Sequence, residues 1–373
     1  MTEASEPAIQ KLRDRVAAGD ESALAPLSRA LDETGRSTEA TELLSIAANK
    51  GSLEGRHLVG GRLLMGLGAP LIPQQGVRLI VESATKNGEA AHLLGVLCAL
   101  GAYVPQDWPR ALSLLQLSAE LGSERARGEL ILLSPDRNLA ESAAAENPPE
   151  DIWARLAASI SVAEWARAPS AVALNEAPRI AVFPSLFSQA ICHWLIDRSH
   201  DRLKRARIYL GSAPSVDNYR SNTSAEFALT ESDFVTALVQ TRLAAAAGVE
   251  LGQLEALSVL HYAPGERFAD HYDFVDPNAP GAASDVANLG QRVFTFLTYL
   301  NEGYSGGETA FPRVGITHKG AVGEGLLMRN VSDDGSPDLR TLHAGLPPLT
   351  EQKWIATQFI RSKRVIPGTL RPH

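Results

Sequence analysis

Two cysteines, Cys98 and Cys192, are all that 373 residues carry. They lie far apart in the chain, so a disulfide framework is not expected and a reducing compartment is. Positive charge is also scarce: 35 Lys and Arg against 43 Asp and Glu leave a net charge of −8. A general nucleic-acid binder needs a basic face, so no nucleic-acid partner is expected. No apolar run approaches the length of a bilayer span, and no membrane partner is expected either. Residues Met1 to Pro7 are polar and acidic with no apolar core, so no secretory leader is read there. The resulting expectation is a cytoplasmic protein.

What is present fits a globular chain with more than one core. Apolar residues make up 45% and charged residues 21%, and the length predicts two domains. Residues 1–165 are rich in Ala and Leu and poor in β-branched runs. Three segments close alike, on Ser45-Ile46-Ala47-Ala48-Asn49-Lys50-Gly51, Glu82-Ser83-Ala84-Thr85-Lys86-Asn87-Gly88 and Gln116-Leu117-Ser118-Ala119-Glu120-Leu121-Gly122. The closing glycines are 37 and then 34 residues apart (88 − 51 and 122 − 88). That period predicts stacked helix pairs, with each Gly just past a helix end, where a positive φ costs it little. The clearest pair joins His92-Leu93-Leu94-Gly95-Val96-Leu97 to Ala111, Leu114, Leu115 and Ser118 through a loop at Gly101–Asp107. Pro70 and Pro73 are expected in the loop of the preceding pair. This half resembles Sel1-like repeats, relatives of the tetratricopeptide repeat. Trp153, Leu156, Ala157 and Ile160 predict one further helix before a linker at 166–177.

From Pro178 the texture changes. Short β-branched and aromatic runs are separated by Gly, Pro, Asn and Asp, as in Ile180–Phe183, Leu257–Tyr262, Val293–Leu300, Leu326–Met328 and Trp354–Ile360. Many short strands with turn signals predict a sandwich or barrel over 178–373, with helices near Phe187–Arg202 and Glu231–Ala247.

Within this half stands His271-Tyr272-Asp273. On a strand, residues i and i+2 share a face, so imidazole and carboxylate are expected to project together. His343 follows 70 residues downstream. Two histidines and one carboxylate with open coordination positions suit a non-haem iron(II) centre. Lys353 opens a run in which alternation places it with Ile355, Thr357 and Phe359 on one face. An inward lysine needs an anionic partner. His261 is expected on the opposite face from Tyr262, His318 in solvent, and His57, His92, His193 and His200 on helices.

The blocks keep a definite order. Tyr262-x-x-Gly265-x-x-Phe268-x-x-His271-x-Asp273 comes first, then Arg292–Asn301, then Gly306-Gly307-Glu308-Thr309-x-Phe311-Pro312, then His343-x-Gly345, then Lys353-Trp354-x-Ala356-Thr357. Over residues 178–362 this resembles a prolyl 4-hydroxylase-type Fe(II)/2-oxoglutarate-dependent dioxygenase. The resemblance implies an α+β multidomain chain, with a helical repeat domain followed by a double-stranded β-helix, or jelly roll, and flanking helices. It implies Fe(2+), 2-oxoglutarate and O2, with L-ascorbate as a further candidate. His271, Asp273 and His343 would bind the metal, and Lys353 the far carboxylate of 2-oxoglutarate. Tyr262 and Thr309 would hydrogen-bond the same co-substrate. Arg292 matches a basic position near the substrate mouth. Arg220 and Asn222, in Asp217–Thr223, match a lid segment. Phe359 stands where some relatives carry Trp.

The implied reaction hydroxylates an unactivated C–H and releases succinate and CO2. The expected substrate is a prolyl residue in a peptide or protein, held by the N-terminal repeats. Three alternatives stay open. They are hydroxylation of a free amino acid or small metabolite, a repeat-based binding scaffold with a degenerate oxygenase domain, and a zinc hydrolase using the same ligand types.

Overall fold

The computed structural model describes residues 5–366 except 207, 211, 212, 216–219 and 277. It divides into two compact units, Met1–Ser161 and Val162–His373. No helix among the described residues is long and apolar enough to cross a membrane.

The first unit is a succession of antiparallel helices, and the predicted helix pairs are present. Leu53–Met65 packs against Pro73–Ala84, and Gly88–Leu100 against Trp108–Glu120. Each repeat starts on a side-chain cap. Ser52, Asn87 and Ser123 accept the backbone N–H groups of Gly55, Ala90 and Ala126, satisfying donors that helix starts leave free. The caps also join neighbouring repeats: Asn87 Nδ2 donates to Glu54 at 2.9 Å and Ser123 Oγ to Glu89 at 2.6 Å.

Two expectations need correction here. Gly51 and Gly122 do follow helix ends with φ of 99° and 94°, but Gly88 is the first residue of its helix and lacks a positive φ. The preceding helix has already closed at Ala84, so the apparent register at Gly88 reflects a cap rather than a stop. Pro73 lies at the start of the second helix of its pair rather than in the loop. There its missing N–H has no intrahelical partner to lose. The segment around Trp153 forms the helix Ile152–Ser159, and Ile152, Trp153, Leu156 and Ala157 are buried within the first unit. Arg127 stacks over Trp153 at 5.3 Å.

The second unit carries fourteen described strands. They are β1 (Val172–Asn175), β2 (Ile180–Phe183), β3 (Lys204–Arg205), β4 (Ile208–Leu210), β5 (Ala213–Ser215), β6 (Thr223–Phe227) and β7 (Leu257–Tyr262). Then follow β8 (Phe268–His271), β9 (Arg292–Tyr299), β10 (Thr309–Phe311), β11 (Ile316–His318), β12 (Gly325–Arg329), β13 (His343–Gly345) and β14 (Lys353–Arg361). An eight-stranded sheet runs β1-β2-β12-β9-β14-β7-β6-β3, and a four-stranded sheet runs β11-β10-β13-β8. Every pairing recorded for these strands is antiparallel. This is the expected double-stranded β-helix. Phe311 from the smaller sheet packs among Leu260, Leu297, Leu326 and Ile355 of the larger one. Burying each such side chain contributes roughly 1.5–3 kcal/mol.

Helices Gln189–His200 and Phe234–Ala247 flank the sheets near the expected positions. Phe234–Ala247 opens with a reciprocal Asp233–Thr236 capping box. A third helix, Ala282–Leu289, was not anticipated. His318 is another correction. It is half-buried and paired with Glu324 at 2.6 Å, because β11 lays it along Tyr299 rather than into solvent.

Candidate metal centre

β8 and β13 are neighbours in the smaller sheet, and their register sets His271 directly opposite His343. The two imidazole centroids are 4.1 Å apart. β8 ends at His271, so the strand-alternation argument for Asp273 does not apply. Asp273 lies in the loop just beyond, and that turn still returns its carboxylate to the histidines. Its two oxygens lie 3.6 Å from His271 Nε2 and 3.3 Å from His343 Nε2. One ligand atom from each of the three residues lies within 4.8 Å of the others, the only such group among the described residues.

The far sides of both rings are tied to backbone. His271 Nδ1 donates to Ala269 O at 2.8 Å, and His343 Nδ1 to Thr341 O at 3.0 Å. Each bond fixes the ring so that Nε2 faces the cluster, the arrangement by which proteins orient metal ligands. Phe268 stacks on His271 and Phe311 on His343. Asn330 Nδ2 donates to Thr295 Oγ1 at 2.9 Å, and Thr295 hydrogen-bonds Asp273 in turn.

The electrostatics match a cation site. Burial, reinforced by the nearby His343, lowers His271 to about 3, so it is a neutral ligand at ordinary pH. Burial opposes the charge on Asp273, but the His343 charge and hydrogen bond, with His271 and Thr295, hold its carboxyl well below the usual range. Burial likewise opposes a charge on His343, yet the Asp273 carboxylate outweighs it and raises that histidine. One anion and two imidazoles gathered in an apolar surround fit a divalent metal such as iron(II).

A second feature lies beside the triad. β14 pairs with β7 so that Lys353 is opposite Tyr262. Lys353 is fully buried, its Nζ is 5.2 Å from the Tyr262 ring centre, and Nζ has no hydrogen-bond partner among the described residues. Burial pulls its pKa down to about 7; the Glu308 charge opposes this without outweighing it, and the neighbouring Lys319 pushes the same way as burial. A buried, unpaired ammonium costs free energy unless an anion meets it. Thr309, on β10, is paired with Gly345 two residues past His343, and its hydroxyl is 3.0 Å from Tyr299 Oη. The far carboxylate of 2-oxoglutarate fits this donor set.

The remaining sequence candidates are held by other partners. Arg220 bonds Asn222 Oδ1 at 2.9 Å and lies over Phe268 at 4.4 Å, which places it on the ring stacked against His271. Asn222 is buried and also donates to Thr223 O. Asp217, Asn218 and Tyr219 of the expected lid lie outside the described residues. Arg292 makes two 2.8 Å bonds to Glu255 and stacks over Phe359 at 3.9 Å. An open cleft of about 550 Å3 follows the β8 and β13 edge, lined by Arg267–Asp270 and Ala344–Pro347. Sequence reasoning passed over Thr295, Tyr299 and Asn330. The alternation of β9 puts Thr295, Leu297 and Tyr299 on one face, and that signal could have found the first two.

Residues 257–361 match the 2OG-Fe(II) oxygenase superfamily. A probable prolyl 4-hydroxylase 9 of Arabidopsis thaliana is 28% identical over 209 residues, covering 51% of this chain and 71% of that protein. The prolyl 4-hydroxylase subunit alpha-1 of Mus musculus is 30% identical over 189 residues, covering 50% of this chain and 35% of that protein. The chain thus spans about a third of the length of that mammalian subunit. Among solved structures, the viral collagen prolyl hydroxylase of Paramecium bursaria Chlorella virus-1 is similar at 24% identity and TM-score 0.39, covering 49% of this chain and 96% of that one.

Proposed function

We propose that this chain, whose C-terminal unit carries a 2-oxoglutarate-dependent Fe(II) dioxygenase domain of the prolyl 4-hydroxylase type, hydroxylates a prolyl residue in a peptide or protein. The observation that carries the reading is the pairing of two features: a two-histidine, one-carboxylate cluster with both Nε2 atoms facing inward, and, opposite a Tyr262 that feels the Asp273 charge, a buried lysine whose Nζ has no hydrogen-bond partner among the described residues. Zinc hydrolysis needs only the first. When bound, Fe(2+) and 2-oxoglutarate supply the C–H oxidation, in which O2 gives one oxygen atom to the alcohol and one to succinate, and CO2 is released.

The protein's own share is positional. His271, Asp273 and His343 hold the metal, and the Ala269 and Thr341 carbonyls keep the imidazoles turned toward it. Lys353, Tyr262 and Thr309 receive the co-substrate. Phe268, Phe311 and Ile355 keep water from the pocket walls. Arg220, Asn222 and Arg292 are proposed to meet the substrate. The open cleft beside β8 gives an extended peptide room to approach, and the helix pairs are proposed to hold the same protein substrate at a distance from the reacting residue. Two buried free thiols, Cys98 and Cys192, support a reducing, cytoplasmic setting.

The test is succinate formation from 2-oxoglutarate with Fe(II), O2 and L-ascorbate, with and without proline-containing peptides. Stimulation by a peptide, lost in His271→Ala, supports the assignment. Turnover stimulated by a free amino acid and by no peptide would overturn the prolyl substrate. Absence of 2-oxoglutarate binding would overturn the enzyme.

A further inference from the structure

Lys353 is not the only buried polar group left unmatched near Gly307. Tyr304, in the segment between β9 and β10, is 2% exposed, and its hydroxyl has no hydrogen-bond partner among the described residues. A buried hydroxyl without a partner costs on the order of 1–3 kcal/mol, so such groups persist where something else satisfies them.

Gly307 ties this orphan to the other one. Its φ of 73° belongs to the left-handed region, and the place a side chain would occupy there is already taken from two sides. Tyr304 Cε2 is 2.9 Å from that point and Lys353 Cδ is 3.2 Å from it. The phenol ring and the lysine stem therefore flank one small gap, which only a glycine leaves open. Tyr304 is itself held in place. Lys319 Nζ donates to its backbone carbonyl and lies 4.5 Å from its ring centre. The phenol is pushed up to about 12, chiefly by burial, so it keeps its proton and can only gain from an acceptor. Thr309, with its hydroxyl on Tyr299, lies two residues beyond Gly307.

We propose that Tyr304 is a specificity-determining residue for the co-substrate, its hydroxyl donating to the same far carboxylate that Lys353 neutralises. An ammonium and a neutral O–H, both unpartnered and carried on a stem and a ring that meet at Gly307, match the two oxygens of one carboxylate. A 2-oxo acid with an uncharged tail leaves both groups buried and unpaired, so the pair selects a 2-oxo dicarboxylate. This rests on the oxygenase reading above and adds a residue to it.

The experiment is binding without turnover. Protein loaded with Mn(II) under anaerobic conditions is titrated calorimetrically with 2-oxoglutarate and with 2-oxopentanoate, which has the same chain length and no far carboxylate. Tyr304→Phe keeps the ring and removes only the hydroxyl. The expected result is a Kd for 2-oxoglutarate raised roughly 10- to 100-fold, the range for a hydrogen bond to a charged group, with the Kd for 2-oxopentanoate unchanged. Equal weakening of both ligands would make Tyr304 a packing residue and overturn the proposal. So would a 2-oxoglutarate Kd within about twofold of wild type. Wild-type protein that takes up Mn(II) but no 2-oxoglutarate overturns the oxygenase reading and this assignment together, which separates the two failures.

Discussion

Lys353 and Tyr262 face each other across the β14–β7 ladder, and the ammonium sits 5.2 Å from the centre of the phenol ring. The ring offers a weak electrostatic partner, and no carboxylate hydrogen-bonds Nζ among the described residues. The sign of the resulting pH dependence is fixed. Lys353 has a folded pKa of about 7, against an ordinary value of 10.5. Between these values the unfolded chain keeps a proton that the folded chain has released, so stability rises with pH across that window. Below about pH 7 both states are protonated and the full penalty, on the order of a few kcal/mol, is present. Ligand-free wild type should therefore melt at progressively higher temperature from pH 7 to 10 relative to Lys353→Met. Melting curves across pH check this, and parallel curves for the two proteins would refute it. Added 2-oxoglutarate should stabilise wild type and leave Lys353→Met almost unmoved.

The relay Asn330–Thr295–Asp273 predicts a different defect. Thr295→Val keeps the shape of a fully buried residue and removes the hydroxyl that turns the carboxylate. Loss of such an outer partner lowers metal affinity by about 10- to 100-fold. Mn(II) titration by electron paramagnetic resonance should show that loss, with the melting temperature of the metal-free protein changed little. Unaltered metal affinity would mean the Thr295 contact does not orient Asp273.

Lys353 was legible because alternation along β14 sends it inward. His271 and Asp273 were legible as close neighbours in sequence, although a turn beyond β8 rather than strand alternation brings the carboxylate back. The smaller sheet was not legible as such. Its strands are three or four residues long, too short to show a period, and the His271–His343 contact depends on a pairing 72 residues apart. Tyr304 carries no sequence signal at all. It sits in an irregular turn, and its importance comes from Gly307, whose left-handed φ lets ring and lysine meet. The false stop at Gly88 has a similar cause, since Asn87-Gly88 reads equally well as the end of one helix or the cap of the next.

Glu255 is placed to govern Arg292. It is buried between Arg292 and Arg361, and Arg361 also reaches Asp285 at 2.6 Å. Burial opposes its charge, but Arg292 and then Arg361 outweigh that and lower its pKa. Its contribution is thus present above the ordinary value of 4.5 and is lost as pH falls through the depressed folded value. Glu255→Gln strips the charge from between two guanidinium groups and should cost about 3–5 kcal/mol. Urea unfolding at pH 7 measures the cost. Below pH 4.5 wild type should approach the variant, and a constant gap at every pH would refute the electrostatic account.

Gly60 and Gly76 make the tightest helix crossing of the repeat unit. A side chain at Gly60 would stand 2.9 Å from the Gly76 carbonyl, and one at Gly76 would stand 2.7 Å from the Gly60 carbonyl. Those acceptors belong to helix backbone and cannot rotate away, so helix Leu53–Met65 and helix Pro73–Ala84 must move apart. Overpacking of this kind costs about 1–3 kcal/mol, which exceeds the gain in helix propensity of about 1 kcal/mol from replacing Gly by Ala. Gly60→Ala and Gly76→Ala should each lower the unfolding midpoint of the full chain. The double variant should cost less than the sum, because the first substitution has already separated the helices that the second would push. Mn(II) and 2-oxoglutarate affinities should stay at wild-type values in all three, since every metal and co-substrate ligand lies in the second unit. Strict additivity in urea unfolding would show that the two glycines act at separate contacts and would rule out the shared crossing.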